Sequence, residues 1–211
     1  MGIASLFQSS QKITRSDFKN YVTPLLKAHN FINSIKWVPR VQNKQRLFIE
    51  TIGKQDGFNK FQFNTKDANS NFIPVGPKDE YFPIYYAQPN RKTELLGYDI
   101  STHSDLSIYL NTSRDTGKTI ATKTNYWFQN NSEMETLLFF PYYEGNRIPK
   151  TITERRRLFK GTLIAIYNTK EAISMAISSY LVPGIFLTVF DENEKNKIYG
   201  NLEEDAPIEY R

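Results

Sequence analysis

Asp79 and Glu80 open a segment running from Lys78 to Thr102, and a third acid, Asp99, stands near its end. Two carboxylates flanking a bond can divide general acid and base work between them, as in glycoside hydrolysis. Between these acids lie Tyr81, Phe82, Tyr85, Tyr86 and Tyr98. That density of rings suits a base-stacking platform or the wall of an apolar pocket. No third group supports catalysis. The histidines, His29 and His103, stand in no metal-binding spacing, and there is no G-x-S-x-G elbow. The absence of cysteine removes disulfides, thiolate nucleophiles and cysteine-based metal sites. Thr116-Gly117-Lys118-Thr119 resembles the end of a phosphate-binding loop, but Thr112 stands where that loop needs its first glycine. Gly117 reads instead as a helix stop, and His103 as part of a helix cap. Binding is favoured over turnover: no catalytic residue, metal or cofactor is expected.

The chain has 211 residues, enough for one large domain or two small ones. Lys+Arg exceed Asp+Glu by 27 to 22, but the charge is scattered apart from Arg155-Arg156-Arg157, which reads as a solvated helix face. Nucleic acid is not expected as a partner. No run of about 20 apolar residues occurs; the best candidate, from Ala172 to Phe190, is split by Pro183-Gly184. With no leader visible, the expectation is a cytosolic protein or an excised part of a longer one.

The elements that must position these residues follow an irregular order. Thr14-x-x-Asp17 has capping-box character, and Phe18, Tyr21, Val22, Leu25, Leu26, Ile32 and Ile35 recur near helical spacing, with Pro24 marking a kink or restart. A short extended "IKWVPRV" leads to a helix from Asn43 to Ile52, closed by Gly53. "FNKFQFNT" alternates as a strand, and "YFPIYYA" and "ELLGYDI" are two extended stretches. A helix from Ser104 to Arg114 precedes strands at "KTIATKTNYWF" and "METLLFFPYY". Thr151-x-x-Glu154 caps the arginine helix, followed by strand "GTLIAIY", a helix from Thr169 to Tyr180, and strands "GIFLTVF" and "NKIYGN". This pattern predicts an α+β fold with mixed or antiparallel sheets.

"SLFQSSQKITRSDFKNYVTPLL", "IKWVPRV", "DEYFPIYY", "LGYDIST", "RDTGK" and "FFPYY" occur in the order and spacing of the CHASE domain, which the chain resembles from about Gly2 to about Ile177. That family is the extracytoplasmic sensory module of bacterial histidine kinases and diguanylate cyclases, and of plant cytokinin receptors. The resemblance implies a long N-terminal stalk helix followed by two tandem PAS-like units. The expected division is a stalk over 1–35, a membrane-distal ligand-binding unit over 36–150, and a membrane-proximal unit over 151–211 completed by the segment around 33–41. It also implies a place on the periplasmic or extracellular side of a membrane, tethered by transmembrane helices that this chain lacks.

In that family "DEYFPIYY" and "LLGYDI" would be neighbouring strands lining a mostly apolar cavity for an unknown small molecule. The expected ligand-binding residues are Tyr85, Tyr98, Ile100, Asp105, Leu106, Tyr109, Thr122, Trp127, Phe128, Phe139 and Pro141. Aligned with plant cytokinin receptors, Leu106 stands where an acid bonds the ligand's adenine, with Asp105 one residue earlier. Phe128 maps to a backbone contact, Phe139 to a hydroxyl, and Thr122 matches a threonine needed for response. The lost polar groups argue against an adenine-type cytokinin. A homodimer through the stalk is expected from Phe18, Val22 and Leu25 with the apolar lead Ile3, Leu6 and Phe7. A dimerisation module without a ligand is the competing reading.

Overall fold

The computed structural model describes residues 13–89, 95–125, 134–178, 180, 187–190 and 197–200. The first part of the chain holds α1 (Arg15–Ala28), β1 (Ile32–Pro39), β2 (Val41–Gln42), α2 (Arg46–Gln55), β3 (Asn64–Lys66), β4 (Phe72–Pro74), β5 (Glu80–Tyr81) and β6 (Tyr86–Gln88). The second part holds α3 (Ser104–Thr116), β7 (Ile120–Ala121), β8 (Glu135–Tyr143), α4 (Ile152–Leu158), β9 (Phe159–Asn168), α5 (Thr169–Ile177), β10 (Thr188–Phe190) and β11 (Lys197–Gly200). The class is α+β, as expected.

The principal sheet is antiparallel, in the order β6-β1-β9-β8-β7. Along β8 the even positions are half-buried and the odd ones, from Glu135 to Phe139, fully buried. The sheet therefore has one closed face and one partly open face. Leu106, Tyr109, Leu110 and Ser113 form one stripe of α3 directed at the closed face. The Tyr109 and Phe139 rings stack at 6.3 Å, and the Ser113 hydroxyl donates to the Phe139 carbonyl. α1 packs on the other face, where Phe18 meets Tyr86 at 5.4 Å between ring centroids.

The cap of α1 forms as its residues require. Thr14 Oγ1 accepts from the Asp17 N–H while the Asp17 carboxylate accepts from the Thr14 N–H. One helix runs through Pro24 and ends at His29. Ile32 and Ile35 therefore do not extend it, because they belong to β1. β1 is buried on both faces, and Ile32 and Ile35, three residues apart within it, imitate the helical spacing upstream. The expected stalk of residues 1–35 is thus helical only over 15–28 among the described residues, and 1–12 lie outside them.

Three other local readings change. Gly53 lies inside α2 instead of stopping it; a Cβ there would stand 2.2 Å from Phe61 Cδ1, so the glycine permits a close approach. "FNKFQFNT" is strand only from Asn64, since the Phe63 N–H is taken by Glu50 Oε1 at 2.9 Å and not by a neighbouring strand. The expected boundary at 150/151 falls between β8 and β9, which pair along their whole length, so it does not separate two sheets. β9 is apolar toward both faces, which suits the middle of a sheet, and β1 pairs with it there.

Candidate functional site

Two of the three carboxylates of the aromatic segment, Asp99 and Glu80, are engaged with cations. Asp99 is fully buried; its Oδ2 lies 2.6 Å from Lys78 Nζ, and its Oδ1 accepts from the Phe82 and Ser101 N–H groups. Glu80 lies 2.5 Å from Arg40 and 3.8 Å from Arg114. Asp79 is exposed. Each buried acid therefore ties segments together, and the group does not form an acid–base pair.

The two aromatic stretches are neighbours, joined by Ile84 N–H to the Tyr98 carbonyl, Gly97 N–H to Ile84 and Ile100 N–H to Phe82. Their side chains divide between several places. Tyr85 lies against Phe61, Tyr86 and the Arg15 guanidinium, on the α1 side. Tyr98 packs edge-on to Phe72 of β4 and hydrogen-bonds Thr102, and burial raises its hydroxyl above the ordinary value. Asp105 is exposed at the start of α3, and Pro141 is half-buried toward the far end of β8. These four do not gather into one site. Trp127 and Phe128 lie outside the described residues.

Five residues remain associated with the closed sheet face. Ile100, Leu106 and Phe139 are fully buried, Tyr109 stacks on Phe139, and Thr122 stands opposite Leu137 at the end of β7. The Leu137 N–H donates to Thr122 Oγ1 at 3.0 Å, so this hydroxyl already fastens the sheet. His103 precedes α3 as its N-cap, and Gly117 follows it in the left-handed conformation at φ 73°, as the sequence predicts.

The same face carries polar side chains that the sequence reading passes over. Register places Ser34 opposite Ile166, and Lys36 opposite Ile164 on one side and Ala87 on the other. Ser34, Lys36, Thr122 and Glu135 are all buried, and Asn33 donates to Glu135 Oε1 at 3.3 Å. In "INSIKWVP" the lysine occupies the polar position of an alternating strand and reads as solvent-facing. Only the placement of β1 between β6 and β9, under cover on both faces, turns it inward. A separate groove of about 400 Å3 runs beside α1, lined by Thr23, Leu26, Lys27 and Gln88 among others. None of the residues expected from the sequence borders it.

The arginine run also acquires a role. Arg155 donates to the carbonyls of Asp115, Pro149 and Lys150, and Arg156 binds the Asp115 carboxylate at 2.6 Å. These bonds join α4 to the end of α3, in place of the solvated face expected for all three.

The CHASE domain family matches residues 11–199, and the chain belongs to that family. CHASE domains are sensory domains of signalling receptors and are not catalytic by themselves. The chain is also similar to a germination-specific adenylate cyclase of Dictyostelium discoideum, at 28% identity over 101 residues. The match takes in 47% of this chain and 12% of that protein, so it spans a small part of the relative's length. Among the described residues no helix is long and apolar enough to cross a membrane.

Proposed function

We propose that this chain is the ligand-sensing portion of a membrane receptor, lies on its extracytoplasmic side, and binds a small organic molecule against the sheet face beneath α3. The change is passed to an output elsewhere in the receptor, of the kinase or cyclase type. Family membership supports the sensory role, and the Dictyostelium relative offers a cyclase as one form of output. One observation supports the location: four buried polar side chains, Ser34, Lys36, Thr122 and Glu135, lie on a face otherwise built from Leu137, Phe139, Ile164 and Ile166. Such a mixture of polar and apolar side chains suits the polar and apolar parts of a small organic molecule.

A thermal-shift screen with small organic molecules tests this reading, because binding to the native state raises apparent stability. At least one compound is expected to raise the melting temperature, with the shift lost in Ile164→Trp, which fills the face. Shifts that survive this substitution, or a screen without any shift, would overturn the assignment. Isopentenyladenine-type cytokinins are expected to bind weakly or not at all. Leu106 and Phe139, both buried, offer no side-chain hydrogen bond to the adenine, and an unmet buried polar group costs about 1–3 kcal/mol, tenfold or more in affinity. A nanomolar dissociation constant by calorimetry would contradict that.

A further inference from the structure

β6 stops short of the start of β1. Gln88 faces Ile35, and Pro89, which has no N–H to carry the ladder on, follows it. The β1–β9 ladder also skips Asn33, passing from the Ile32–Tyr167 pair to the Ser34–Ile166 pair. Among the described residues, Ile32 and Asn33 thus have no strand on the β6 side. The end of α1 borders this gap, and together they form the groove of about 400 Å3, within the size range of small-molecule sites.

No carboxylate borders the groove among the described residues, and one cation, Lys27, does. Thr23 and Gln88 are already engaged: Gln88 Nε2 donates to Thr23 Oγ1 at 3.3 Å, and Thr23 Oγ1 donates to the Lys19 carbonyl at 2.7 Å. Lys27 and Asn30, both exposed, make no hydrogen bond or ion pair among the described residues. The Lys27 ammonium is therefore free to receive an anion, and the Asn30 amide can donate or accept. Of the C-terminal carbonyls of α1, that of Leu25 receives the His29 N–H at 3.1 Å, while those of Leu26 and Lys27 receive no backbone N–H among the described residues. They stand at the negative pole of the helix dipole, which favours a cation. Leu26, Ile32 and Pro89 supply the apolar part of the lining.

We propose that this groove is a second binding site, distinct from the sheet face beneath α3, and that it takes an aliphatic α-amino acid. Its carboxylate is received by Lys27, its ammonium by the open carbonyls of Leu26 and Lys27, and its side chain by Leu26, Ile32 and Pro89. A plain carboxylic acid leaves those carbonyls unmet, and a plain amine leaves Lys27 without an anion. The zwitterion meets both through charge-assisted hydrogen bonds.

Leucine, isocaproate and isoamylamine share one apolar body and differ in the groups at its end, so they separate the possibilities. By calorimetry leucine is expected to bind the domain, and each of the other two at least about tenfold more weakly, as the loss of one charged hydrogen bond dictates. In Lys27→Met, an exposed position where folding is not at stake, leucine affinity should fall about tenfold while that of isoamylamine is unchanged. Asn30→Trp, at an exposed turn, should close the groove to all three. Ile164→Trp, which fills the sheet face, should leave leucine binding as it was. Absence of leucine binding at about 10 mM, where a millimolar site is nearly filled, overturns the proposal. Leucine binding no tighter than either analogue, or unaffected by Lys27→Met, overturns it as well. Binding lost in Ile164→Trp and kept in Asn30→Trp would put the amino acid on the sheet face, overturning this site while supporting the reading above.

Discussion

Gly97 shows how a single residue holds the aromatic segment in place. Its φ is +85°, and a Cβ there would stand 2.0 Å from the Gln62 carbonyl oxygen. The glycine allows "LLGYDI" to pass close to the strand region at Asn64, whose N–H donates to the Gly97 carbonyl at 3.0 Å. Gly97→Ala combines a left-handed backbone with a clash against main chain that has no flexible end to yield. The expected cost is about 2–4 kcal/mol, read as a lower urea midpoint with an unchanged slope. A change within about 0.5 kcal/mol would show that the loop relaxes freely.

At the level of elements, α3 and α4 are clasped through Asp115. Its carboxyl is held at about 2, against an ordinary 3.8, by the Arg156 hydrogen bond first and by Arg114 beside it. Because the folded value is depressed, the unfolded chain binds this proton more readily. The contribution is therefore complete above about pH 5 and is lost as the pH falls toward 2. Arg114 and Asp115 are largely covered, but Arg156 is open to solvent, so the clasp contributes no more than about 1 kcal/mol at neutral pH. Asp115→Asn should be less stable at pH 7 by that amount and should lose less stability than the native domain between pH 5 and pH 2. Thermal unfolding at a series of pH values measures both. Parallel acid limbs in the two proteins would remove Asp115 from the account.

For the whole molecule, α1 decides how two chains could meet. Phe18 and Val22 are buried against the sheet of their own chain, so they offer no surface to a partner. A stalk dimer then depends on the half-buried Leu25 and on the apolar lead of Ile3, Leu6 and Phe7. We propose that this lead pairs two chains side by side in the intact receptor, where membrane tethering raises the local concentration. Leu6→Cys and Phe7→Cys in the full-length receptor should crosslink between chains in membranes. Failure at both positions, with a dimeric control site crosslinking, would leave the receptor without a stalk interface.

Local chemistry was legible in the linear chain wherever it depends on near neighbours. The capping boxes at Thr14 and Thr151, the left-handed stop at Gly117, the cap at His103 and the β8 and β9 strands all follow from side chains a few residues apart. Family membership was legible too, from motifs kept in order. The site was only partly so. Leu106, Tyr109 and Phe139 fall together because α3 lies across β8, while Tyr85 and Tyr98 point to other clusters. Alternation along a strand tells which residues share a face, but not which face is covered. That is why the burial of Lys36 follows only from the placement of β1 between β6 and β9. Burial is a property of what other segments of the chain bring to a residue, and only the tertiary arrangement supplies it.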